Sequence, residues 1–416
     1  SMSTNGLAST ARPARPERDL ELAIVIAACH RPLSGIRVEQ LRELASGPVR
    51  WRRLARLAER HRVAGLVYDA LSRAELNDRL THVPELAELA RRGSVLALRL
   101  AHESVRLQAQ FDAAGIDNLV LKGAPVGILA FDDPGLKHCW DIDLLVRPDA
   151  ALPARRLLDG LGYALIEPAG LDETEFSRFC GFAKEAVFRH PNGLAVELHW
   201  FLVDPPSLLL NADPFPDYRM VMVGGRGTIR TLSDRLQLAY LASHGQRHGW
   251  SRLKWIADVN GLLAGQPPEK VAAMIDDAGR LGAGCFAQAA VALCDTLFGR
   301  EEKPQRVSHP TLALRAITAI NRHCVAGPYG GSGVPPYSGT NALILLSVML
   351  GMPDWRGRWG FLATLWNRPV ERARGRSGIV IGYSLRRLIG LIARLPNRLA
   401  NDRAAHRAAT IRAQQD

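Results

Sequence analysis

Residues 119–146 read LVLKGAPVGILAFDDPGLKHCWDIDLLV, and the fold turns on how that run is parsed. An apolar segment, residues 118–121, ends in Lys122-Gly123. A second apolar segment opens with Asp141-Ile142-Asp143. Side chains on a strand point to opposite faces with period two. Asp141, Asp143 and Leu145 therefore share one face of the second segment, and Ile142, Leu144 and Val146 fill the other. Two carboxylates side by side repel, so a positive group is expected between them. A divalent cation bound by oxygen ligands is the usual answer.

Outward from that run the pattern is mostly helical. Trp51, Leu54, Ala55 and Ala58 recur at helical spacing, and Leu66, Ala70 and Leu71 continue it. Residues 85–114 read as one or two helices stopped at Gly115. Residues 19–114 are thus expected to form a helical region. Within 115–231 a compact core is predicted: a strand at 118–121, a helix from 124 to 131, a turn at Asp132-Asp133-Pro134-Gly135, the strand 141–146, a helix over 150–161 and a strand over 162–166. A hairpin follows. Segments 186–189 and 194–200 flank His190-Pro191-Asn192-Gly193, whose Asn-Gly suits a tight turn. On its second strand Ala195, Glu197 and His199 share one face, and Val196, Leu198 and Trp200 the other. Polar groups on such a strand need partners once buried.

Residues 232–326 are predicted to be helices that close a cleft. Ser233 suits the N-cap of a helix over 234–246, which brings His244 and His248 close together. The next helix, 252–263, sets Lys254 and Asp258 one turn apart, as a surface pair whose lysine can also reach a ligand. Residues 269–298 read as helical. The Gly/Pro-rich segment 327–339 marks a boundary, and 327–416 forms a basic, helical C-terminal region with a helix candidate at 378–399. The apolar run 341–350 is too short to span a bilayer, so no transmembrane segment is expected. The class is α+β: a small mixed β-sheet core embedded in a largely helical envelope.

Composition narrows the setting. A chain of 416 residues can bury two or three packed regions. The net charge of +12 is uneven. From Gly351 onward there are many arginines, no lysine, and only Asp354, Glu371, Asp402 and Asp416 as acids. Such a tail suits phosphate-bearing partners or an acidic surface, or simply a solvated end. The six cysteines form no C-x-x-C pair and no dense framework, which fits reduced thiols and a cytoplasmic location. Residues 1–18, rich in Ser, Pro and Arg, read as a disordered arm, with Ser1 as a cleavage remnant before Met2. Acidic Asp19 and Glu21 lead into the apolar residues 22–29, which argues against a signal peptide.

The ordered set L-K-G, G-L-K-H-C-W, D-I-D-L-L-V, L-G-Y and V-E-L-H-W resembles the uncharacterised nucleotidyltransferase family of the DNA polymerase beta-like superfamily. The flanking W-R-R-L-A-R-L-A-E-R-H-R-V-A-G-L-V-Y and H-G-Q-R-H-G-W-S-R-L-K-W-I-A-D-V are similar to its helices, so the likeness covers about residues 51–263. The resemblance implies that Asp141 and Asp143 bind Mg²⁺, or Mn²⁺ in its place. Glu197 would be the third carboxylate, as ligand or as base. Lys122 and Gly123 would sit at the phosphate turn, and Lys137, beside His138, would face the triphosphate, with Lys254 as a further nucleotide contact. Two departures stand out: the turn reads Lys-Gly-Ala, and Lys137 replaces the family's usual arginine, a point charge for a planar fork. His199 is expected to be a hydrogen-bonded core histidine. His244 and His248, without a third ligand, are expected to line the cleft or pack beside Trp250. The implied reaction moves a nucleoside monophosphate from an NTP, by default ATP, to an acceptor. A small molecule or peptide fits relatives found in natural-product settings, the Arg-rich tail leaves RNA open, and a non-catalytic scaffold docking a peptide or membrane surface is the rival reading.

Overall fold

The computed structural model describes residues 19–204, 208–209, 211–225, 227–299, 311–326, 338–366 and 369–375. The expected arm at 1–18, the Gly/Pro stretch up to 337 and the helix candidate at 378–399 lie outside the described residues.

Five short strands form a mixed sheet: β1 (Asn118–Val120), β2 (Ile142–Val146), β3 (Ala164–Glu167), β4 (Glu185–Arg189) and β5 (Ala195–His199). Their spatial order is β1-β2-β5-β4-β3. Only β2 and β5 run parallel, with Asp143 opposite Glu197 and Leu145 opposite His199. The remaining pairs are antiparallel. Between β4 and β5, the turn places Gly193 at φ 91°, and Asn192 Oδ1 accepts from the Leu194 amide at 3.0 Å.

The period-two reading holds on both faces. Ile142, Leu144, Val146, Val196 and Leu198 join a core with the helices Pro84–Ala113, Ala151–Gly160 and Glu173–Cys180, through side chains such as Phe111, Leu158 and Phe176. On the opposite face Leu119, Leu121 and Leu145 join a second core, which continues through the N-terminal helices and the helices Ala124–Phe131, Asp234–Arg247 and Leu253–Leu263. Pro84–Ala113 is one helix of 30 residues, with proline in its first turn. Its first half feeds the second core through Leu86, and its second half feeds the first through Leu100 and Leu107.

Three local expectations change. Residues 269–298 form two helices, Pro268–Arg280 and Gly284–Phe298, broken at Leu281–Ala283. Ser233 occupies the N-cap position, but its hydroxyl donates to Asp217 Oδ2 at 3.0 Å and does not cap. A hairpin of β6 (Tyr218–Met222) and β7 (Thr228–Leu232) was not foreseen. It packs beside β1, where Thr231 Oγ1 donates to the Val120 carbonyl at 2.6 Å. No described helix is long and apolar enough to cross a membrane.

Candidate functional site

The sheet's second face opens, beyond Leu145, into a cleft of about 730 Å³, within the range of roughly 300–1,000 Å³ usual for small-molecule sites. Asp143 and Glu197 enter it side by side because the parallel register sets them directly opposite. His199, two residues beyond Glu197, shares their face. Its Nε2–H donates to Asp143 Oδ1 at 3.2 Å, and Nε2 lies 3.6 Å from Glu197 Oε2. Asp143 is 1% exposed. Its Oδ1 also takes the Lys122 ammonium, whereas its Oδ2 is buried with no hydrogen-bond partner.

Electrostatics follow from that crowding. Burial alone raises the Asp143 carboxyl, but the Lys122 charge and the His199 bond outweigh it and hold the group well below the usual carboxylate range. Lys122 responds in kind: burial lowers it, and Asp143 and Asp141 together push it well above the ordinary lysine value. Glu197 moves the other way. Burial, with the Asp143 charge beside it, raises its pKa against the pull of His199 and Lys122.

Glycine is required at one place here. Gly123 follows Lys122 at φ 77° and opens the helix Ala124–Phe131. A side chain at that φ would be strained. The turn also brings backbone N–H groups and a helix N-terminus to the cleft wall, an arrangement suited to phosphate oxygens.

Every site residue expected from the sequence lines this one cleft: Asp141, Asp143, Glu197, Lys122, Gly123, and, along its second wall, Lys137, His138 and Lys254. Their relations differ from expectation in several ways. Asp141 stands just before β2, 3.9 Å from Lys122 Nζ. Among the described residues, the candidate ligand atoms that lie within 4.8 Å of one another are those of Asp143, Glu197 and His199. Lys137 is buried and paired with Asp258, at 2.7 Å. Asp258 is therefore no surface partner of Lys254: it faces inward, and Lys254 points over the Trp255 ring, 5.5 Å from its centre. His199 is indeed buried and hydrogen-bonded, but within the carboxylate cluster. His244 and His248 line the cleft, and His248 stacks on Trp255 at 4.7 Å, not on Trp250, which packs against Gly245.

Several cleft residues escaped the sequence reading. Glu185, opposite His199 on β4, brings Oε2 within 3.1 Å of His199 Nδ1. The hairpin register about Asn192-Gly193 carried that information. Lys184 beside it is held at about 8 by burial. Arg62, at the end of an N-terminal helix, also reaches the cleft, where burial first and Arg252 second lower it to about 10. Its guanidinium sits 5.8 Å over the ring of Trp140, which is 54% exposed. Burial and neighbouring cations hold Lys254 at about 7 and His138 at about 3.

A mixed sheet that sets carboxylates and an imidazole against a cation-lined cleft can hold a divalent ion beside a polyanionic ligand. Three oxygen and nitrogen donors close together, and one buried carboxylate oxygen still without a partner, fit such an ion. The chain belongs to the uncharacterised nucleotidyltransferase family, whose model matches residues 47–299. That span includes β2, β5 and the helices Ala124–Phe131, Asp234–Arg247 and Leu253–Leu263 beside the cleft, and the protein is an enzyme of the nucleotidyltransferase class. No curated protein matches the chain.

Proposed function

We propose that the enzyme transfers a nucleoside monophosphate from an NTP, by default ATP, to a hydroxyl or phosphate of a small-molecule or peptide acceptor, releasing pyrophosphate. The observation that carries this reading is the pairing of Asp143 with Glu197 on adjacent parallel strands, facing a cleft large enough for a nucleotide. Asp143 and Glu197, with Asp141 at the lip, would hold Mg²⁺. When bound, that ion neutralises phosphate charge and draws electron density from the reacting phosphorus.

The chain's own residues supply the rest. Lys254 and Arg62 offer charge to a polyphosphate along the second wall. The Gly123 turn offers backbone N–H groups to its oxygens. Glu197, lifted by burial while its neighbour Asp143 is held low, takes the proton of the acceptor hydroxyl. The acceptor oxygen bonds to the α-phosphorus as the bond to the bridging oxygen breaks and pyrophosphate leaves. His199, held by Asp143, keeps Glu197 oriented.

The test is label transfer. Incubation with α-labelled NTPs, Mg²⁺ and candidate acceptors should move label to one acceptor, and Asp143→Ala should lower that transfer by at least about 100-fold while the chain stays folded by circular dichroism. Full transfer by Asp143→Ala would remove the mechanism. Transfer to a small molecule or peptide should survive moderate salt, whereas an RNA acceptor would be lost steeply as salt rises. Calorimetry with Mg²⁺ and each NTP separates the enzyme from a docking scaffold, which need bind neither.

A further inference from the structure

The position best suited to a metal is occupied by the chain itself. The Lys122 ammonium contacts Asp143 Oδ1, and stands 3.9 Å from Asp141 Oδ1 and 4.0 Å from Glu197 Oε2. One flexible cation thus sits at the focus of all three carboxylates. A lysine nitrogen and a divalent ion cannot share that focus, because like charges at such range repel strongly.

Two further observations bear on how the place is exchanged. The Lys122 side chain is 19% exposed against 1% for Asp143, so the ammonium approaches from the cleft side. Asp143 Oδ2 has no partner while Lys122 is in place, so a single ammonium leaves the cluster under-satisfied. Removing Lys122 without replacement would leave the buried Asp143 carboxylate without its counter-charge. The lysine therefore keeps the cluster together when nothing else is bound.

We propose that Lys122 is a tethered cation that fills the metal position until nucleotide arrives, so that divalent ion and triphosphate enter together. The proposal rests on the reading that the cluster takes a divalent ion. The ion must displace the ammonium, and the freed ammonium needs a new anion. A polyphosphate lying along the cleft provides one. Each ligand thereby favours the other, and the coupling must be reciprocal. Lys122 has two partners in turn, the carboxylates and then the phosphates.

The probe is Mn²⁺, titrated by the electron paramagnetic resonance signal of the free ion into the native chain, Lys122→Met and Asp143→Asn. Each is measured alone and with an ATP analogue carrying a methylene between the α and β phosphorus. The native chain should bind Mn²⁺ weakly alone and about tenfold or more tightly with the analogue, as expected for a coupling of this kind. Lys122→Met should bind Mn²⁺ alone about tenfold more tightly than the native chain, with little gain from the analogue. Asp143→Asn should lose the site in both conditions. Equal Mn²⁺ affinity of the native chain with and without the analogue overturns the Lys122 proposal and leaves the metal reading intact. Absence of Mn²⁺ binding from every form overturns both. Should Lys122→Met fail to fold in a thermal melt, Lys122→Gln takes its place. Because the analogue itself binds Mn²⁺, a gain from the analogue in the Lys122 variant as large as in the native chain overturns the Lys122 proposal.

Discussion

Lys137 and Asp258 lie 121 positions apart in the chain, and both are buried, at 5% and 4% side-chain exposure, with 2.7 Å between charged atoms. Breaking such a pair leaves a lone charge in the interior, whereas replacing both members with apolar groups removes the problem. Asp258→Asn should therefore lower unfolding free energy by about 3–5 kcal/mol in urea titration. Lys137→Met combined with Asp258→Leu should recover most of that loss. A double variant as unstable as the single one would mean that the pair contributes through something besides its charges. The local spacing of Lys254 and Asp258 suggested a surface pair. Yet Ile256, Ala257, Val259 and Leu262 around Asp258 are all buried, and that apolar run already marked the aspartate as inward-facing. Its partner could not be read, because no sequence rule links it to a lysine so far upstream. Asp143, Glu197 and His199 were readable for the opposite reason: strand periodicity is local, and it placed each on the correct face.

At the scale of elements, the site depends on how closely the helix Leu253–Leu263 approaches Ala124–Phe131. Gly261 makes that approach: a Cβ added there would lie 2.4 Å from the Ala130 carbonyl oxygen and 2.8 Å from the Ala130 Cβ. Backbone cannot yield as a flexible side chain can, so Gly261→Ala should separate the two helices. The expected cost is about 1–3 kcal/mol, with a fall in nucleotide affinity because Lys254 and the Gly123 turn ride on the two helices. Gly279→Ala is the control. It lies in the helix Pro268–Arg280 with nothing within 4 Å of the added atom, so it should be neutral or stabilise by up to about 1 kcal/mol. Equal melting temperatures for the two variants would deny the crossing this role. Elements with strong period or clear punctuation were legible: the helix at 124–131 and the hairpin about Asn192-Gly193 fall as read. The β6–β7 hairpin was not, since Tyr218, Met220 and Met222 sit on an exposed face and Val221 alone on a buried one. Such a strand carries no apolar alternation of the usual sense; it is held by its ladder with β7, whose Arg230 and Thr231 side chains bond to β1.

At the scale of the whole molecule, burial keeps four described imidazoles neutral. Burial holds His61 and His244 well below the ordinary histidine value, and holds His138 and His248 at about 3. Each folded pKa is depressed, so below the unfolded value of about 6.5 the unfolded chain takes up protons that the folded chain refuses. Stability from these groups is complete above that value and is lost as pH falls toward about 3. Each contributes a slope of at most about 1.4 kcal/mol per pH unit. Glu197, raised in the folded chain, acts with the opposite sign in the upper part of the same range, but it is one group against four. Lys184 and Lys254, held at about 8 and about 7, extend the same trend upward: between those values and the ordinary lysine range, raising pH favours the folded chain. The melting temperature should therefore rise from pH 5 to about pH 8, most steeply below pH 6.5. Above that, the thiols of Cys29, Cys139, Cys180, Cys285 and Cys324, all pushed up by burial, act with the opposite sign. His248→Phe keeps an aromatic ring against Trp255 and removes one titrating group. It should flatten the acid side of the curve by close to one proton in the slope while leaving the melting temperature at pH 8 nearly unchanged. A flat or falling curve between pH 5 and pH 7 would show that these imidazoles take up protons in the folded chain, and that the cleft wall lined by His138, His244 and His248 is open to water.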